Sequence, residues 1–227
     1  LIISLGSWGL NLATQEARNV TINVQSSTIF HEIGHNLGLA HGGNDNINHK
    51  PNHVSSMNYL YQNFGLPAIG QHDGDRYFAT FFVDDPKCGI IGGNLTNGPK
   101  GSPADFVVDY SSGGGQEIRE TLVDERLGLG FQASHGVDYN CNGILNEKLA
   151  HFDLNHDLTP NQVFRDVDEW SLLSLQFTRQ WAGASSGQTI SGKSDAKPRQ
   201  NVMHNDRQRV SIEYAPSAAF FNMINTK

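Results

Sequence analysis

With 227 residues, the chain is long enough to bury a proper core as one large or two small domains. Its 23 acidic and 16 basic residues leave a net charge of −7, which argues against a nucleic-acid partner. No run of about 18 apolar residues occurs, so no membrane-spanning helix is expected.

In chain order, Leu1-Ile2-Ile3-Ser4-Leu5 is apolar and β-prone and is broken by Gly6. It reads as a strand and not as a signal peptide. Residues 10–25 are polar, and the alternation Val20-Thr21-Ile22-Asn23-Val24 suggests a second short strand. Ser26, Ser27 or Thr28 can then cap a helix whose apolar stripe is Ile29, Phe30, Ile33 and Leu37.

That helix carries the most informative stretch, Phe30-His31-Glu32-Ile33-Gly34-His35-Asn36-Leu37-Gly38-Leu39-Ala40-His41. On a helix, His31 and His35 project from one face one turn apart, as two ligands of one metal require. Glu32 falls beside the metal, where a general base for an activated water belongs. Gly38 permits a left-handed backbone that ends the helix, so that His41 arrives from outside it as a third ligand. Three histidines leave the fourth position open, the arrangement of catalytic rather than structural zinc.

The five fixed positions HExxHxxGxxH resemble the signature of the metzincin zinc peptidases. The resemblance implies an α+β catalytic core, a Zn²⁺ cofactor and a protein or peptide substrate. It also implies a Met-turn beneath the metal, for which Met57 in Ser55-Ser56-Met57-Asn58-Tyr59 is the candidate. In astacin-like and serralysin-like members a tyrosine at the place of Tyr59 reaches the metal or the oxyanion, so Tyr59 joins Glu32 as a candidate catalytic residue. Gly42, after the third histidine, matches no marker of the best-known subfamilies, and the subfamily stays open. Metzincin cores also have several strands before the zinc helix, whereas only 30 residues precede His31. The chain is therefore expected to be a fragment of a longer precursor, and Leu1–Leu5 either a substrate-binding edge strand or an ordinary buried one.

After the motif, residues 42–54 form a polar loop in which His49 and His53 lack ligand spacing and are expected to be solvated. The run 77–83 should be a buried strand or short helix. Residues 105–110 look extended, 111–115 are a flexible break, and 116–127 suit a short helix with Ile118, Leu122 and Val123 on its apolar side. Two runs with oxygen side chains at alternate positions follow: Asp138, Asn140 and Asn142, then Asp153, Asn155 and Asp157. Each is the opening half of an EF-hand-type Ca²⁺ loop without the carboxylate at the twelfth place. Glu147, Asp166, Asp168 or Glu169 could supply the closing carboxylate. Residues 170–181 are apolar enough to dock back on the core, and the polar tail beyond reads as linker, disorder or the start of another module.

Cys88 and Cys141 allow one disulfide, or two free buried thiols. Richness in Gly, Asn, Asp and Ser with little Lys fits a secreted, loop-rich protein held partly by ions. Asn19 and Asn94 open glycosylation sequons. The sequence thus divides into a catalytic core (1–110), a subdomain with calcium loops (111–181) and a tail (182–227). The function expected is a secreted zinc endopeptidase; its rival is a non-catalytic binding module organised by zinc and calcium.

Overall fold

The structure is a computed structural model that describes residues 12–66, 98–131, 133 and 135–174. All of these fall in one compact unit. The expected elements at 1–5 and 77–83, Cys88, Asn94 and the tail from 182 lie outside the described residues.

One long helix, α1 (Gln15–Asn36), opens the described chain. Its N-cap is Thr14, whose hydroxyl accepts from the Ala17 N–H at 3.1 Å. The expected strand at 20–24 and the expected caps at Ser26, Ser27 and Thr28 are therefore corrected: all lie inside this helix. The alternation of Val20, Ile22 and Val24 looks β-like locally, yet burial follows a helical period. Asn19, Val20, Asn23, Val24, Ser27, Thr28, His31 and Gly34 are buried, and side-chain packing outweighs the modest propensity cost of β-branched residues. The expected stripe is corrected as well, because Ile29 and Ile33 are exposed. The buried face is mostly polar. Asn23 Nδ2, for example, donates to Pro99 O and Gly101 O at 3.0 and 3.1 Å, so its burial is offset by hydrogen bonds.

The short helix α2 (Tyr59–Gln62) starts at its N-cap Asn58 and packs against α1. The helix expected within 116–127 is absent. In its place β1 (Ile118–Arg119) and β2 (Leu122–Asp124) follow one another around a turn. Strand β2 pairs antiparallel with β3 (Lys148–Ala150), and β1 pairs antiparallel with β4 (Val163–Phe164). The register sets Val123 opposite Leu149 and Ile118 opposite Phe164. Among the described residues these two-stranded pieces are the sheets, and no mixed sheet is formed.

The main core comprises Val54, Leu60, Tyr61 and Leu66 with Ile118, Val123, Leu129, Val137, Tyr139, Leu154 and Phe164. It draws on both sides of residue 110, so the boundary read there from the glycine-rich stretch runs through one packed unit. A smaller cluster joins Leu39, Met57 and Tyr110 under the C-terminal half of α1. Residues 105–110 carry no regular strand; Ser56 and Asp109 bond each other instead, through Ser56 N to Asp109 O at 2.8 Å and Asp109 N to Ser56 Oγ at 3.1 Å.

Candidate metal centre

His31 and His35 lie in the last turns of α1. The helix ends where the sequence indicates. Gly38 has φ of +96°, Leu39 N–H bonds Gly34 O at 3.0 Å, and Gly38 N–H bonds His35 O at 3.1 Å. This is a Schellman closure, in which a left-handed residue without Cβ returns the chain toward the helix. The chain then makes a tight hairpin, Ala40 and Gly43 exchanging both backbone hydrogen bonds at 2.9–3.0 Å, with His41 at its tip. A buried lysine braces the hairpin: Lys50 Nζ donates to Gly42 O at 2.8 Å, Arg165 O at 3.0 Å and Asp45 Oδ2 at 3.2 Å. Burial pushes the Lys50 ammonium below its usual range despite Asp45.

The three imidazoles meet. One ligand atom from each of His31, His35 and His41 lies within 4.8 Å of the other two. The ring centroids are 4.6 to 5.3 Å apart. His31 Nδ1 is 2.7 Å from Ser56 O, and His35 Nδ1 is 2.9 Å from Leu39 O. A carbonyl oxygen only accepts, so each Nδ1 bears a proton, the tautomer that in a neutral ring leaves the Nε2 lone pair for a metal. His31 is buried and His35 and His41 are partly exposed as residues, while the Nε2 atoms of all three are buried. Glu32, adjacent to His31 on α1, is also partly exposed.

Met57 is fully buried beneath the helix at Gly34. A Cβ on Gly34 would lie 2.2 Å from Met57 Sδ and 3.0 Å from Tyr110 Cε1, so only glycine allows this approach. The turn carrying Met57 closes by Asn58 N to Ser55 O at 3.1 Å and by Met57 N to Ser55 Oγ at 3.0 Å. Tyr59 stands against the cluster, its ring centroid 4.3 Å from that of His41 and 5.6 Å from that of His31.

The support beneath this turn corrects the reading of the loop histidines. His53 is fully buried, with Nδ1 2.7 Å from Asp166 Oδ1 and Nε2 3.2 Å from Glu169 Oε1. Burial alone would lower its pKa, but the hydrogen bonds and charges of the two carboxylates raise it, so His53 is a buried imidazolium between two anions. Glu169 also accepts from the Ser55 hydroxyl and, at 2.7 Å, from Ser111 N–H. Asp166 accepts from Ser111 Oγ and from Gly115 N–H at 2.8 Å. Burial works against its ionisation, and these donors with His53 hold its pKa below the usual value. Asp166 and Glu169 therefore do not close a calcium loop; they anchor the Met57 turn. His49 is half-buried, and burial, with His156 nearby, lowers its pKa to about 4.

Sequence reasoning overlooked His53, Lys50, Asp166, Glu169 and Tyr110 as parts of this site. Tyr110 stacks on Phe30 at 4.2 Å and donates to Phe30 O at 2.8 Å. The available signal was weak: a lysine and a histidine three residues apart, with isolated acids more than a hundred positions later.

The calcium-type runs do fold as loops. Asp138 accepts from Asn142 N–H and Gly143 N–H, and Asp153 accepts from Asp157 N–H and Leu158 N–H. Glu147 caps the first loop, accepting from Asn140 Nδ2 at 3.2 Å and from Asn142 Nδ2. Cys141 is buried and no free cysteine occurs among the described residues; its expected partner Cys88 lies outside them. No described helix is long and apolar enough to cross a membrane. Comparison with protein-family models, with curated proteins and with solved structures finds no match.

Proposed function

We propose that the chain is the catalytic part of a secreted zinc-dependent endopeptidase of the metzincin kind. The observation that carries the reading is the convergence of three imidazoles, two on a helix and one on a hairpin past its end, with the partly exposed Glu32 next to His31 on the helix. The donor set fits Zn²⁺: three imidazoles, two of them with Nδ1 held by carbonyl oxygens so that Nε2 is the atom left for a metal, and no fourth protein ligand in the group. When bound, the ion supplies Lewis acidity that brings the pKa of water toward neutrality.

The chain's own residues do the rest. Glu32 takes a proton from the water as it attacks the substrate carbonyl and passes it to the departing amine. Tyr59, on the His41 side, offers a phenolic O–H to the negative charge developing on the carbonyl oxygen. Met57, packed against Gly34, forms an apolar floor that fixes the height of the helix face presenting His31 and His35.

Glu32→Gln tests this. The variant is expected to hold Zn²⁺ at parental stoichiometry, measured by elemental analysis, while casein or gelatin cleavage falls about 10²–10⁴-fold. Cleavage at the parental rate would refute the mechanism. A parent that holds zinc and cleaves no peptide would favour the binding-module reading.

A further inference from the structure

The two acidic loops belong to a structural repeat, and the equivalences reach beyond their motifs. Asp138-Tyr139-Asn140 returns fifteen positions on as Asp153-Leu154-Asn155, and Asn146-Glu147 returns as Asn161-Gln162. Each loop runs into a strand, β3 or β4, and each strand pairs with one arm of the 118–125 segment. Each arm ends in a fully buried glutamate, Glu120 after β1 and Glu125 after β2. Phe152 N–H bonds Glu120 O at 3.0 Å as Val137 N–H bonds Glu125 O at 2.9 Å. Leu154 N–H bonds Glu120 Oε1 at 2.7 Å as Tyr139 N–H bonds Glu125 Oε1 at 2.8 Å.

The equivalence fails at one atom. Glu120 Oε2 accepts from Gln162 N–H at 2.8 Å. Glu125 takes both of its backbone donors, Tyr139 and Asn140 N–H, on Oε1, and Oε2 is buried with no hydrogen-bond partner among the described residues. A buried carboxylate oxygen left unpaired is costly. In the first loop the neighbouring side chains add to that cost. Burial raises the Glu125 pKa, and the charges of Asp138 and Glu147 raise it further. The second loop has neutral Gln162 where the first has Glu147.

We propose that residues 138–147 and Glu125 form a Ca²⁺ site, in which Asp138, Asn140, Asn142 and Glu147 supply oxygens from the loop and Glu125 supplies the buried carboxylate from the core side. An all-oxygen donor set on a pliable loop suits Ca²⁺ over Zn²⁺, which favours nitrogen and sulfur, and over Mg²⁺, which gives up its waters reluctantly. Glu125 is the closing ligand that the twelfth place of the sequence motif lacks, delivered by the turn that follows β2 instead of by the loop itself. The site stands apart from the zinc reading and does not depend on it.

The test is calorimetric Ca²⁺ titration of the full chain in chelator-treated buffer, with near-ultraviolet circular dichroism to verify packing. The parent is expected to bind with Kd of about 10⁻⁵–10⁻³ M and to ignore Mg²⁺ at equal concentration. Glu125→Gln keeps the shape and removes the charge. It is expected to weaken this site about 10–100-fold, to leave the metal-free protein at least as heat-stable as the parent, and to contrast with Glu120→Gln, which leaves the site's affinity unchanged. Asp138→Asn, in the loop itself, is expected to weaken Ca²⁺ binding similarly and serves if Glu125→Gln fails to fold. No Ca²⁺ binding by the parent, parental affinity in a folded Glu125→Gln, or equal losses in Glu120→Gln and Glu125→Gln would each overturn the proposal.

Discussion

The support under the histidine cluster and the hairpin behind the acidic loops both bury carboxylates, and they neutralise them differently. Under the cluster, Asp166 and Glu169 flank one imidazolium, His53, and take further hydrogen bonds from Ser55, Ser111 and Gly115. Behind the loops, Glu120 and Glu125 receive only backbone N–H groups among the described residues and face other carboxylates, Asp153 and Asp157 or Asp138 and Glu147. The first region carries its own counter-charge, and the second has none among these contacts. One buried acidic region thus carries its own counter-charge, and the other is the place where the proposed Ca²⁺ would supply one.

The largest expected effect tests the self-sufficient side. His53→Ala leaves two buried carboxylates without their cation and should cost about 3–5 kcal/mol in urea unfolding, with no recovery at any Ca²⁺ concentration. Recovery by calcium would erase the contrast between the regions. The same group sets a pH dependence. His53 has a folded pKa above its unfolded value of about 6.5, so its contribution is complete below that value and is lost as pH rises through the folded pKa. Asp166 has a folded pKa below the ordinary carboxylate value, so its contribution is present above that value and is lost as pH falls through the folded pKa. Thermal melts should therefore weaken on the alkaline side in the parent, and His53→Gln should flatten that limb. An unchanged alkaline limb in His53→Gln would mean that the imidazolium is not the source.

Gly34→Ala is expected to have a smaller effect. Alanine favours the helix by about 1 kcal/mol, but its Cβ meets Met57 Sδ and Tyr110, and overpacking costs about 1–3 kcal/mol. The net should be a destabilisation of about 1 kcal/mol together with weaker zinc retention, because the helix face that bears the ligands must lift. A raised melting temperature with zinc affinity unchanged would show that the floor beneath the helix is slack. Smallest is Leu158→Gly. Leu158 is exposed at φ +66°, where its counterpart in the first loop is Gly143 at φ +85°. Relieving that backbone should gain about 0.5–1 kcal/mol, read from the urea midpoint at unchanged slope. A loss would mean that the two loops are not conformational equivalents.

What could be read from the sequence was local. The four-residue spacing of His31 and His35, the left-handed stop at Gly38 and the alternating oxygens after Asp138 and Asp153 each depend on backbone geometry within a few positions, and each forms in the structure. The failures also arose locally. Val20 to Val24 alternates like a strand but packs as a helix, and Ile118, Leu122 and Val123 fit a helical face but lie in two short strands. In both places burial against distant chain decides, and propensities of a fraction of a kcal/mol per residue are too weak to resist it. The tertiary structure alone decided which charges meet. His53 reaches Asp166 across 113 positions, the Lys50 ammonium reaches the Arg165 main-chain carbonyl across 115, and Glu125 comes under a loop that begins thirteen residues later. Such pairings carry no spacing rule, because a buried charge needs a partner in space and the chain can bring that partner from any distance along the sequence.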